Sequence, residues 1–203
     1  MILLLDSFVS QDFWRLVYPS NRAPGIAPVL QPIPEAAYKA EDILRLAPSW
    51  LTEDYLNRGS SRIDALVFRQ EDRRKSNNHI ARSWSGKLPP GSFYDLGHGV
   101  LVASPGFIFL RMASQLSFSE LIAYGDELCG LYSFDSSSPR GIRQRTEPLA
   151  SVKKLEEYLE GAKGGGASKL AKRCSTWLIG RVLQWKQWMR CSYVCRTSTE
   201  DTV

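Results

Sequence analysis

Alternating apolar residues predict a sheet in the middle of the chain. Residues 61–68 place Ile63, Ala65 and Val67 on one face of a predicted strand, and the side chains of residues 79–84 alternate between two faces of its partner. We expect these two strands to form a β-hairpin whose tip is the charged stretch 69–78. A solvated tip fits the mixed charges of that stretch better than the alternative, a patch that contacts phosphate.

A second hairpin is predicted directly after the first. Residues 93–94 and the apolar, β-branched run 100–103 have the composition of strands. Between them lies a Gly-His-Gly sequence that ends at Gly99, and its glycines allow the positive φ angles of a tight turn.

Capping signals place two helices after this hairpin. Ser104 and Pro105 are typical of an N-cap and the first helical position. Ser117 and Glu120 have the spacing of a capping box. We therefore predict an α+β (or α/β) fold, in which a small, mainly antiparallel sheet from two hairpins packs against several helices, with a C-terminal helical tail.

The segment before this core, residues 1–60, is predicted to be helical and rich in proline. Its apolar start lacks the basic residues of a secretory signal, so we expect it to enter a sheet or a core helix. A helix capped by Ser10 is expected within residues 7–18. Further helices are expected at residues 35–46 and, as an alternative to a surface loop, at 52–59.

The segment after the predicted helices begins as a polar loop at residues 131–147, which contains Arg140, Arg143 and Arg145. A helix capped by Ser151 follows. We therefore divide the chain into the N-terminal segment, a core at 61–162, and a glycine-rich link with a basic, Trp- and Cys-rich tail at 163–203.

Charge is concentrated in that tail. The chain has 203 residues, of which 43% are apolar, and a net charge of +5. Residues 1–160 contain 18 Lys or Arg and 19 Asp or Glu, and residues 161–203 contain 8 and 2. The basic balance therefore belongs to the last fifth of the chain. No apolar run is long enough to span a membrane, and we expect a cytoplasmic protein.

The motifs of known active sites do not occur in the sequence. The four cysteines and the two histidines, His79 and His98, lack the spacing of a zinc site. Asp126 and Glu127 are adjacent on a predicted helix, so they point apart and are expected to form a solvated helix face. We predict no catalytic residue, no metal, no cofactor and no small-molecule ligand.

Residues 99–105 (GVLVASP) and 109–113 (FLRMA), followed by a helix that ends in Asp-Glu-Leu-Cys at residues 126–129, resemble the core motif of bacterial AbiEi-like proteins. This family includes type IV antitoxins and relatives that carry a DUF559, Vsr-like endonuclease domain. The resemblance covers residues 60–172. Many members have Asp where Arg111 stands.

The resemblance implies a regulatory or protein-interaction domain that is truncated before the nuclease. Relatives with a nuclease place its carboxylates after the glycine-rich link, and this chain has no acidic residue between Glu160 and Glu200. We therefore expect no enzyme, and a toxin or a regulatory protein as partner. The alternative is a nucleic-acid-binding accessory protein that uses six basic side chains: Arg140, Arg143, Arg145, Arg181, Lys186 and Arg190.

Three interpretations of the tail from Arg173 onward stay open. It can form a cationic amphipathic helix for a membrane or an acidic partner. It can also form a helix that docks on the core through Trp177, Val182 and Trp185. The third interpretation is out-of-frame sequence, which predicts that the tail packs poorly and contributes little stability.

Overall fold

The computed structural model describes residues 3–18, 27–30, 63–73, 79–163, 168–169 and 171–176, and it confirms the α+β class. The strands are β1 (Leu3–Leu5), β2 (Ala27–Pro28), β3 (Ile63–Val67), β4 (His79–Ser83), β5 (Phe93–Asp95), β6 (Val100–Ala103), β7 (Tyr132–Phe134) and β8 (Ile142–Gln144). The helices are α1 (Ser7–Asp12), α2 (Pro105–Met112), α3 (Phe118–Cys129) and α4 (Val152–Gly161).

The first strand of the chain lies at the centre of the main sheet. Within the described residues this sheet has the strand order β2-β5-β6-β1-β3-β4. β1 pairs in parallel with β6 and antiparallel with β3, and all three of its leucines are buried. A strand that is covered on both faces needs apolar side chains on both, which explains the unbroken leucine run.

The first predicted hairpin is wrong, because β3 and β4 are parallel. Their register runs from Ile63 opposite His79 to Val67 opposite Ser83. After β3, the described residues 68–73 include a short 3₁₀ turn at Gln70–Asp72. Alternation fixes which side chains share a face, but it leaves the strand direction open. The described sheet is consequently mixed, with three antiparallel and two parallel strand pairs.

The second predicted hairpin is confirmed. β5 and β6 pair antiparallel, and the turn between them is closed by hydrogen bonds from Leu96 N to Val100 O (2.9 Å) and from Val100 N to Gly97 O (3.0 Å). Gly99 has a φ of +78°, and its carbonyl accepts a hydrogen bond from Leu3 N at 2.7 Å. The turn thus connects the hairpin to the central strand.

The capping signals after this hairpin are confirmed. The Ser104 hydroxyl accepts from Phe107 N (3.2 Å), and Pro105 is the first residue of α2. Ser117 and Glu120 form the capping box of α3 through reciprocal bonds of 2.8 and 3.3 Å. Both helices therefore begin where the sequence predicts.

An aromatic cluster joins α2 to the sheet. The Phe107 ring meets Trp84 and Phe93 edge to face, each at 5.3 Å between centroids. Such pairs contribute roughly 0.5–1.5 kcal/mol beyond the area that they bury. α4 packs against the same helix at Gly106, where a Cβ atom would lie 2.8 Å from Tyr158 Cγ, so a larger residue would push the helices apart.

The first helix begins earlier than predicted. α1 starts at Ser7, after Asp6, and continues into a π-helical turn at Phe13–Val17. Ser10, the predicted cap, lies inside the helix, where its hydroxyl accepts from Ala103 N at 3.3 Å. Trp14 Nε1 donates to the carbonyl of Ala103 at 2.8 Å. Tertiary contacts with β6 therefore use the hydroxyl that the sequence assigned to capping.

The described beginning of the tail packs against the core. Residues 171–176 are helical, and Cys174 is fully buried. Arg173 donates to the carbonyls of Ala113 and, at 2.7 Å, of Leu116. Poor packing from Arg173 onward is thus wrong for these first residues. Residues 177–203 and the helices expected at 35–46 and 52–59 lie outside the described residues.

Candidate functional site

Two buried groups of arginines and carboxylates are the main polar features of the described core. The first, the strand-end cluster, comprises Asp6, Asp64, Arg82 and Arg111. Asp6 follows β1 and is fully buried, and Arg111 donates to both of its oxygens, with Nη2–Oδ2 at 2.5 Å. The Arg111 guanidinium also stacks on Trp84, at 5.5 Å from the ring centroid. Asp6 is therefore neutralised in a bidentate pair.

The second pair of this cluster joins neighbouring strands. Arg82 Nε donates to Asp64 Oδ1 at 3.1 Å. Burial raises the pKa of Asp64, and the Arg82 charge opposes that shift. Beside the cluster, Ser7 has a φ of +46°, and its buried hydroxyl accepts from Gln115 Nε2 at 3.0 Å. Two carboxylates and two guanidinium groups balance the charge of the strand-end cluster.

The second group, the hairpin cluster, comprises Arg15, Glu127 and Arg145, and it joins the π-helical turn to α3 and the β7–β8 hairpin. Glu127, which was expected on a solvated helix face, has a side chain that is only 1% exposed. Arg15 donates to its two oxygens at 2.7 and 2.5 Å, and Phe134 N donates to Oε1 at 3.0 Å. The expectation failed because Arg15, which bonds to both oxygens of Glu127, lies far away in the sequence.

Arg145 completes the hairpin cluster and faces inward. Its Nη1 donates to the Glu127 carbonyl at 3.3 Å, and its Nη2 lies 3.9 Å from Glu127 Oε1. Its side chain is 4% exposed, and burial lowers its pKa while Glu127 raises it. Arg145 is therefore shielded from an external phosphate, contrary to its predicted role as a contact.

The other predicted nucleic-acid contacts have different positions. Arg143 bonds to Asp135 at 2.8 Å with a half-exposed side chain, and Arg140 is exposed in the turn of the hairpin. Arg181, Lys186 and Arg190 lie outside the described residues. The described structure thus brings Arg140 and Arg143 together on one hairpin and places Arg145 beneath it.

An apolar hairpin surface, formed by Phe134, Ile142 and Tyr132, lies on the outside of the same hairpin. Phe134 and Ile142 are 41% and 40% exposed, and the Tyr132 ring meets the Phe134 ring edge to face at 5.8 Å between centroids. Phe134 and Ile142 are direct partners in the register of β7 and β8, so their side chains lie next to each other. The sequence interpretation as a polar loop missed these strands, although the alternation of Tyr132 and Phe134 with polar residues was a signal.

No group of three or more His, Cys, Asp or Glu in the described part of the chain could hold a metal ion. None of the helices described there has the length and apolar character to cross a membrane. Comparisons with family models, with curated proteins and with solved structures find no match for this chain. The likeness to AbiEi-like proteins therefore stays a prediction that rests on the sequence motif.

Proposed function

We propose that this chain is a non-catalytic regulatory or protein-interaction domain of AbiEi-like type, and that it binds a protein partner through the apolar hairpin surface. The proposal includes a cytoplasmic location, which the buried thiol of Cys174 supports. The observation that carries it is the grouping of Phe134, Ile142 and Tyr132 on one face of a short hairpin. Single exposed apolar residues are common, but a contiguous group is typical of an interaction site.

The anchoring of the hairpin supports this role. Glu127 accepts the backbone N–H of Phe134, and the Arg15 guanidinium stacks on the Phe134 ring at 5.7 Å from its centroid. Arg145 ties the second strand to the same helix. A surface that is held rigidly before binding loses less conformational entropy in the complex.

A double substitution tests the proposal. The partner to test is the protein encoded by the adjoining reading frame, because the resemblance to antitoxins implies a toxin partner. Phe134→Ser with Ile142→Ser should weaken binding to it by at least about tenfold, because buried aromatic and aliphatic anchors dominate interface energies. Phe8→Ser with Leu30→Ser is the matched control, since both side chains are exposed and belong to α1 and to the segment after β2 instead of the hairpin. Isothermal titration calorimetry measures the affinity of the hairpin variant and of the control variant for this partner. Wild-type affinity in the hairpin variant, with unchanged circular dichroism, would refute the proposed surface.

A second candidate function is nucleic-acid binding, which the exposed Arg140 and the half-exposed Arg143 favour. Cations on a β-hairpin beside an exposed aromatic ring are suited to a nucleic-acid backbone and its bases. Titration with duplex DNA at two salt concentrations separates the two functions. A steep salt slope that falls in Arg140→Ala with Arg143→Ala would support this candidate, because released counterions produce that slope.

A further inference from the structure

Three buried side chains between α3 and the hairpin have polar atoms that form no hydrogen bond within the described structure. They are the Tyr124 hydroxyl, the Ser133 hydroxyl and the Nε and Nη2 atoms of Arg145. Most buried polar groups in folded proteins are hydrogen-bonded, because an unsatisfied one costs free energy. Four such atoms on neighbouring elements therefore need an explanation.

These atoms lie in one layer, between α3 and the inner face of the β7–β8 hairpin. Ser133 is the register partner of Arg143, and Arg145 follows two positions later, so Ser133 and Arg145 share a face of the hairpin. Tyr124 lies one helical turn before Glu127, which contacts Arg145. The charges of Arg15 and Arg145 also act on Tyr124. The layer between α3 and the inner hairpin face thus contains all four atoms.

The donors of Arg145 define what this layer can bind. The charged groups that act on the layer are Arg15, Arg145, Glu127 and Asp12: Glu127 lies against both arginines, and Asp12 acts on Arg15 and Tyr124. The Nε and Nη2 atoms of Arg145 can only donate hydrogen bonds, so they require an acceptor. An anion is the acceptor that forms the stronger, charge-assisted bonds with a guanidinium group.

We propose that the layer between α3 and the hairpin binds a small monovalent anion, with a halide such as chloride as its ligand. The anion accepts hydrogen bonds from Arg145 Nε and Nη2, Tyr124 Oη and Ser133 Oγ. Its small size follows from the burial of these side chains, which are 4%, 4% and 0% exposed. The bound anion fixes the hairpin on α3. This site is independent of the partner that the outer surface binds.

Thermal unfolding of the full chain in sodium chloride and in sodium gluconate, at the same ionic strength, tests the site. Gluconate screens charge equally but is too large for a buried layer. We expect chloride to raise the melting temperature in a saturable manner by roughly 3–5 °C at a tenfold excess over its Kd. The rise in melting temperature should be lost in the double variant that combines Tyr124→Phe and Ser133→Ala. Tyr158→Phe, which removes a tyrosine hydroxyl elsewhere, should keep it.

Equal melting curves in the two salts, or the same chloride response in the double variant, would overturn the proposal. The first result would show that water satisfies these atoms, because water gives no dependence on the halide. Crystals grown in bromide provide a second measurement that does not depend on the folding of a variant. An anomalous peak beside Arg145 and Tyr124 would establish the site, and its absence from this layer would refute it.

Discussion

The strand-end cluster and the hairpin cluster contain the same chemical groups but differ in balance. In the strand-end cluster, two arginines neutralise two aspartates, and the bidentate bond of Arg111 occupies both oxygens of Asp6. In the hairpin cluster, two arginines share one glutamate, and Arg145 retains free donors. The first cluster is complete within the described chain, whereas the second has donors that can bind another acceptor.

The difference indicates different roles for the two regions. A balanced, fully buried pair stabilises the fold only while both partners are present, since the loss of one leaves a charge without solvent or partner. An incomplete group under a hairpin with exposed apolar side chains is instead suited to binding. We therefore assign the strand-end cluster to the integrity of the fold and the hairpin cluster to interaction.

The largest expected effect comes from the balanced cluster. Arg111→Met should lower the free energy of unfolding by about 3–5 kcal/mol, because it leaves the fully buried Asp6 without its partner. Arg143→Met removes a half-exposed partner of Asp135, which keeps the hydrogen bonds from Ser137 N and Oγ, so it should cost less than about 1 kcal/mol. Urea denaturation measures both. Equal losses in the two variants would contradict the role of the strand-end cluster.

Arg173, a partly buried arginine, extends the comparison, since it bonds to carbonyls instead of a carboxylate. Truncation after Ala171 should cost about 2 kcal/mol, because it removes the bonds of Arg173 to Ala113 and Leu116 and the buried Cys174. Truncation after Thr176 keeps these contacts and serves as the control. If both shortened chains have the melting temperature of the full chain, the described start of the tail contributes nothing to stability.

The buried Tyr124 and the partly buried Tyr158 give a smaller contrast. Tyr158 is hydrogen-bonded to Ser92 Oγ at 2.7 Å, so Tyr158→Phe should cost about 1 kcal/mol. Tyr124 has no such bond within the described residues, so Tyr124→Phe in a chloride-free buffer should be neutral or slightly stabilising. Chemical denaturation in sodium gluconate compares them. A larger loss for Tyr124→Phe would show that its hydroxyl has a partner without the anion.

The smallest effect concerns pH. Burial raises the pKa of Asp64 in the folded state, so its protonated form favours folding. That contribution is present below the unfolded pKa and is lost as the pH rises through the folded pKa. Asp64→Asn cannot lose a proton, so its stability relative to the wild type should increase between about pH 3 and about pH 7. A constant difference over this range would contradict the raised pKa.

Local signals predicted the second hairpin and the helix starts at Ser104 and Ser117, because turns and caps depend on residues that are neighbours in sequence. Strand direction was not predictable, since the same alternation serves β3 and β4 in either orientation. The burial of Glu127 was missed for a related reason. Its partner Arg15 lies 112 positions away, and only the packed tertiary structure brings the two together.

Hydrogen–deuterium exchange of the full chain, alone and with the product of the adjoining reading frame, tests the central claim most directly. We predict that binding slows exchange in residues 131–145 and in the adjacent end of α3, while the strand-end cluster exchanges as before. This result would place the partner on the apolar hairpin surface. Slower exchange at Asp6 to Ser10 or around Arg111, with an unchanged hairpin, would contradict the account.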